Sequence, residues 1–394
     1  MVDILLKQRY FFIDPILLFG MEGISNIAID CGTSVSRIGF AGKEEPELMI
    51  PSIVGRPKYA NNVIDKNFLF VGNKAYKNMS VLDCDYPING GIVTNWDDME
   101  HLCEFMYSEL GVEPENYGVL MTEQLNNTKN NREKLMQLMF ETFNVPSYFV
   151  GLKNYLSLIS CGMESGIDFH CGDSITSICP IINSMIDIKH NSYFEFGGRD
   201  ISYWLQKCLE EKIEDFISYG NKKIINTIKE NYCYIARDYN DEIQKIKSDK
   251  AKKYDVTLPD GNVINMQIER IKCTELFFKP EIEGLKFEGI NKFINETIRH
   301  CDLELQKMYY SNIVISGGSI QFEGFKERLT SEIENLVDEN TKVHIIKHHD
   351  ANISSWIGES ILGSLASYND FAITRKEYKE EGKDVVNHRC NYSN

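Results

Sequence analysis

Three short stretches constrain this chain more than any others: DCGTS at 30–34, HCGDS at 170–174 and ISGGS at 315–319. Each ends an apolar, β-branched run, and each pairs glycine with a small hydroxyl residue. A strand running into such a turn aims several backbone N–H groups at one point and makes an anion-binding concavity. One glycine turn only reverses a chain. Three of one type, in a chain that alternates strands with helices, point to an α/β protein with a phosphate-binding cleft.

The residues between the turns support the alternation. Ile24 to Asp30 and Val35 to Phe40 read as a β-hairpin around DCGTS. PSIVGRP, residues 51–57, leads into the polar stretch KYANNVIDKNFL and reads as a surface loop. Apolar residues at helical spacing predict helices over Asn95 to Glu109 and Asn130 to Phe143, the second stopped by Pro146. Val119 to Met121 reads as a buried strand and Tyr148 to Ser160 as an apolar helix. Strands are expected at 166–169 and 178–182, on either side of HCGDSIT. Glu210 to Asp249 reads as helix-rich and lysine-heavy, an outer lobe. Ser311 to Gly318 and Lys342 to Ile346 read as strands, and Trp356 to Leu365 as a helix.

Composition removes several function classes. With 42 basic and 58 acidic residues the net charge is −16, which argues against a nonspecific nucleic-acid surface. The 11 cysteines contain no CxxC pair, so neither a zinc ribbon nor a disulfide framework is expected; buried thiols are. The first twenty residues are apolar but broken by Lys7, Arg9, Asp14 and Pro15. No stretch approaches the roughly 20 apolar residues of a membrane span. A soluble intracellular protein is the expectation.

The motifs then give a resemblance. GFAG (Gly39 to Gly42), PSIVGRP (Pro51 to Pro57), GIVTNWDDME (Gly91 to Glu100), NREK (Asn131 to Lys134), FETFNVP (Phe140 to Pro146), GGRD (Gly197 to Asp200), SGG (Ser316 to Gly318) and WIG (Trp356 to Gly358) occur in order. With a tail from Glu377 to Cys390, they resemble actin and the actin-related proteins over about Ile27 to Cys390. The resemblance implies the two-lobed α/β ATPase fold shared with hexokinase and the heat-shock ATPases, four subdomains around a nucleotide cleft. Residues 21–160 with 354–394 would form the first lobe, 51–86 being its small subdomain. Residues 161–353 would form the second, with 197–285 its small subdomain, and 1–20 would be an N-terminal extension.

The same resemblance implies ATP or ADP with Mg²⁺ or Ca²⁺, weakly bound, between the lobes. Asp30 and Asp173 would meet the cation, through water. Gly32 would let the backbone approach the β-phosphate, and Thr33 would offer its hydroxyl and N–H. Ser34 stands for a glycine of actin and Arg37 for a lysine. Gly172, Asp173 and Thr176 match the second phosphate turn, with Ser174 in place of glycine. Lys229 and Glu230 match a pair that brackets ribose and base. Gly317, Gly318 and Ser319 match the turn near the α-phosphate and adenine. Phe322 replaces a tyrosine, and Asn352 a lysine that packs on adenine.

The catalytic positions depart from the family together. Lys153 replaces the glutamine that orients the attacking water, and lysine donates but cannot accept. It either lays its charge on the γ-phosphate or swings to solvent. His170 replaces an aspartate that orders water around the cation, and Ser177 a histidine that helps place the nucleophile. A base or water-orienting group must accept from that water, so the pattern implies a binder with hydrolysis weak or absent.

The expected role is a structural subunit of a cytoskeletal heteromeric assembly in the cytoplasm, with actin or other actin-related proteins as partners and no direct nucleic-acid contact. Alternatives are an ATP-hydrolysing, filament-forming divergent actin, a nuclear chromatin-remodelling subunit, and a nucleotide-free scaffold. The stretch EIEGLKF (Glu281 to Phe287) stands where actin carries its hydrophobic plug, and 58–69 is slightly shorter than the subunit-contacting loop. Charge in a subunit contact is costly to bury, so poor homofilament formation is expected.

Overall fold

The structure is a computed structural model; it describes residues 26–58, 68–211, 222–248, 254–258, 261 and 263–390. The N-terminal extension and nearly all of the loop at 58–69 lie outside the described residues. Two sheets dominate. In the first, β1 (Ile27–Asp30) pairs antiparallel with β2 (Val35–Phe40), which pairs with β3 (Leu48–Pro51). The small strands β4 (Val54–Pro57), β5 (Phe70–Val71) and β6 (Leu82–Asp85) form a separate three-stranded sheet with its own core of Ile53, Ala75 and Leu82. A short hairpin comes next, β7 (Ile88–Asn89) with β8 (Ile92–Val93). The chain then returns to the first sheet as β9 (Val119–Glu123), parallel to β1, and β10 (Ser147–Leu152), parallel to β9. The late strand Ile373–Thr374 closes that edge.

The second sheet repeats the plan. β11 (Gly166–Cys171) pairs antiparallel with β12 (Thr176–Ile182), which also meets β13 (Met185–Ile186) and β14 (Ser192–Phe194). After the two-stranded ribbon β15 (Tyr254–Thr257) and β16 (Val263–Met266), β17 (Ile313–Ser316) runs parallel to β11, and β18 (Ile345–Lys347) parallel to β17. In each sheet a tight hairpin is succeeded by parallel strands, so DCGTS, HCGDS and ISGGS all sit at carboxyl ends of core strands. Open α/β sheets place their ligands there.

Among the helices that frame the sheets and the space between them are α1 (Trp96–Leu110), α2 (Lys129–Gln137), α3 (Lys153–Ser160), α4 (Gly198–Glu210), α5 (Lys222–Tyr232) and α6 (Ser354–Ser364). Asn95 caps α1 by accepting from the Asp98 N–H, and Thr128 caps α2 in the same way through Asn131. The chain crosses from the first sheet to the second through α3 and returns through α6. These helices touch backbone to backbone: a Cβ on Gly358 would lie 2.0 Å from the Leu156 carbonyl oxygen. Ser157 hydrogen-bonds Ser354 and Ser355 at 3.1 Å, and the Trp356 indole N–H donates to the Ala28 carbonyl at 3.0 Å.

Three sequence expectations change. Residues 148–160 are not one helix: β10 ends at Leu152 and α3 begins at Lys153. Every residue of β10 is buried, so its apolar run shows no alternation and resembles a buried helix. Residues 51–57 contain strand β4 and the end of β3, not only loop. The helix expected over 130–143 is α-helical to Gln137, then takes a π turn at Leu138–Thr142. All 11 cysteines are free, most of them buried, as expected.

Candidate functional site

A cleft of about 540 Å³ opens where the turns meet. Every candidate residue lines it except two, Thr176 and Ser177. The DCGTS and HCGDS turns touch across the cleft, with Thr33 Oγ1 3.0 Å from Ser174 Oγ. Gly317 adopts φ +96°, and a Cβ there would lie 2.2 Å from the Cys171 carbonyl, so only glycine lets β17 end against β11. Gly32 is required by its own turn, because a Cβ would meet the Val35 carbonyl oxygen at 2.6 Å.

At the far side α5 supplies Lys229, which is buried and donates to the Gly198 carbonyl at 3.0 Å. Glu230 beside it is exposed at the rim. Gly318 has no atom within 4 Å of its would-be Cβ and opens onto free space. Ser319 Oγ donates to the Gly172 carbonyl at 2.6 Å, tying the second and third turns together. Phe322 packs edge-on against Phe277 while lining the cleft, and Asn352 lines it without a cation. A small hydroxyl- and glycine-lined end with a lysine opposite an aromatic wall suits a nucleotide.

Lys153 does not swing to solvent. It is 4% exposed, and its Nζ lies 2.9 Å from Asp30 Oδ1 and 2.8 Å from the Cys31 carbonyl. Arg37 Nη1 holds the other oxygen, Oδ2, at 2.9 Å, and Thr122 Oγ1 donates to Oδ1 at 2.7 Å. Burial pushes the Asp30 carboxyl up, but Lys153, then Arg37 and the Thr122 hydroxyl, together hold it well below the ordinary range. The carboxylate expected to meet a divalent cation is thus already paired with two protein cations.

His170 faces the same end. Its Nδ1 lies 3.0 Å from Ser316 Oγ. Burial first, then the nearby Lys153, lower its pKa to about 3, so the imidazole is neutral at physiological pH and a weak base. Ser316 also donates to Asp168, which accepts from Asn154 Nδ2 at 2.9 Å; Asn154 in turn accepts from Ser177 Oγ at 3.1 Å. Asp168 is fully buried, with its carboxyl pushed far up by desolvation. Ser177 therefore belongs to a buried network under the cleft and does not reach it. Thr176 is likewise buried, its hydroxyl spent on the Phe196 carbonyl at 2.8 Å. Its match to the phosphate turn reflects tethering of β12, because the hydroxyl points away from the cleft lining.

Asp173, the second expected cation contact, lies 3.4 Å from Arg199 Nε. Arg199 reaches on to Asn89 Oδ1 at 2.8 Å, joining the lobes on the far side of the cleft. The residues present fit a divalent cation poorly: both carboxylates carry guanidinium or ammonium partners, and the third position holds a neutral imidazole.

Gln124, absent from the sequence expectations, also lines the cleft at the end of β9. It is 8% exposed, and its side-chain carbonyl is buried without a hydrogen-bond partner. Its place after a central parallel strand was the available signal.

A family model described as Actin matches residues 21–391 of the chain, nearly its whole length. No helix among the described residues is long and apolar enough to cross a membrane.

Proposed function

The chain belongs to the actin family, and from that premise we propose that it is a nucleotide-holding structural subunit of a cytoskeletal assembly that hydrolyses ATP very slowly or not at all. The observation that carries this reading is Lys153 locked onto Asp30 and the Cys31 carbonyl. An ammonium fixed there cannot accept a hydrogen bond from water, and the neighbouring imidazole is too weak a base to replace the missing acceptor. Losing one positioned group commonly costs about 10²- to 10³-fold in rate, and here the positions at 153, 170 and 177 change together. Members of the family bind an adenine nucleotide, and the cleft supplies glycine-rich turns, Lys229 and an aromatic wall for one.

Residues 281–287 support the partner side of this reading. Leu285 and Phe287 pack into the protein's own second core, Phe287 with its ring 4.7 Å from Phe196, while Glu281, Ile282 and Lys286 face solvent. Two of the three large apolar groups of this stretch are committed within the subunit, and Ile282 remains outside among charges. This favours incorporation beside actin or other actin-related proteins, in the cytoplasm, over self-assembly. Affinity purification of the tagged protein from its own cells tests it: co-purifying actin-family subunits in fixed ratio are expected, and long homopolymers of the purified protein by sedimentation would overturn it.

A second reading, a working ATPase, has one observation in its favour: the unpartnered carbonyl of Gln124. If that oxygen aims water, phosphate release is measurable and falls at least about tenfold in Gln124→Ala. A structural subunit releases phosphate at background with either residue.

A further inference from the structure

We propose that this cleft binds its nucleotide as the free polyphosphate anion, with the Lys153 ammonium standing where the family places a divalent cation. This rests on the proposed nucleotide binding and concerns the ionic form of the ligand. Both oxygens of Asp30 already carry partners, and three of its roughly four acceptor sites are taken. One oxygen takes Lys153 Nζ at 2.9 Å and Thr122 Oγ1 at 2.7 Å; the other takes Arg37 Nη1 at 2.9 Å. Mg²⁺ demands octahedral oxygen ligands and sheds its waters reluctantly, so an acidic anchor already filled by cations attracts it poorly. Asp173 is paired with Arg199, and His170 has its Nδ1 on Ser316.

The charges around the first two turns run the same way. Lys153, Arg37 and Arg199 bring three positive charges, and Asp30 and Asp173 return two. Glu230 and Glu323 also line the cleft, but on the segments that carry Lys229 and Phe322. The surplus at the two turns is one positive charge, with Arg199 bordering the cleft and not lining it, and it favours an anionic group at that end. Lys153 has three N–H donors, and Asp30 and Cys31 use two. The third is left to a ligand, because Lys153 lines the cleft. Burial and anchorage by both β1 and its turn hold the ammonium in one place, as a bound ion would be held.

The test is binding of etheno-ATP to the full chain, monitored by fluorescence, in excess EDTA and in excess Mg²⁺. Dissociation constants within about threefold of each other are expected, and Mn²⁺ titrated into the nucleotide-loaded protein should show no protein-dependent broadening of its paramagnetic resonance beyond that of Mn²⁺–ATP. Lys153→Gln removes one of the two cations on Asp30 and should make binding at least about tenfold tighter with Mg²⁺ than with EDTA. Wild-type binding that requires Mg²⁺, or a tightly held Mn²⁺ signal in the wild-type complex, overturns the inference and leaves the nucleotide reading standing. No binding in either buffer overturns both. The resonance measurement needs no variant, so a Lys153→Gln protein that fails to fold does not remove the test.

Discussion

A single side chain, Lys153, shifts the chemistry of the cleft, and it does so through Asp30, far earlier in the chain. That lysine could not orient water was legible from its type alone. Its actual partner was not, because the contact exists only once β10 delivers α3 beside the end of β1. Gln124 was only half legible: its place after a central parallel strand marks the position, but its role shows only when its carbonyl is found buried and alone. Because three positions changed, restoring one should not restore turnover. Lys153→Gln is expected to raise phosphate release by less than about tenfold over background, with the other positions still limiting. His170 gives a pH prediction. Its pKa lies at about 3 in the fold against 6.5 unfolded, so the unfolded state binds the extra proton as pH drops. The stabilisation due to neutral His170 is complete above pH 6.5 and is lost as pH falls toward 3. In His170→Phe this part of the loss should vanish, seen as a smaller decline in melting temperature between about pH 7 and pH 5.

At the scale of elements, the hairpin turns and their flanking strands could be read directly, because glycine and hydroxyl residues at strand ends have few other uses. The uniformly buried elements could not. β10 and α3 are both buried almost throughout, and the boundary between them is set by packing against α6. That packing buries Glu359, whose two carboxylate oxygens have no partner. Desolvation first, and then Asp30, push its carboxyl far above the usual range, which favours its neutral form in the fold. A raised folded pKa stabilises fully below the unfolded value of 4.5, and that stability is lost as pH rises. Glu359→Gln removes the loss. The variant should melt close to wild type near pH 4.5 and above it near pH 8, by about 1–3 kcal/mol of stability, the cost of a buried polar group that cannot be satisfied as an ion. Equal melting temperatures at both values would contradict this origin.

For the whole molecule, the order of motifs along the chain was enough to place it in its family, since they are spread over both lobes. How the lobes are joined was not legible. It depends on the Thr33–Ser174 contact, the Asn89–Arg199 bridge and the α3–α6 crossing, all between residues distant in sequence. A nucleotide gripping all three turns would act on this joint as a staple. At about a hundred times its dissociation constant it should add about 2.7 kcal/mol, seen as a rise in melting temperature with ATP, in EDTA as well as in Mg²⁺. The central claim is that the staple is not consumed. The most direct measurement loads the purified protein with α-labelled ATP at a single turnover, incubates it for hours, and identifies the bound nucleotide by chromatography. ATP recovered intact from the complex is the predicted result; ADP accumulating on the protein, faster than in buffer alone, would contradict it.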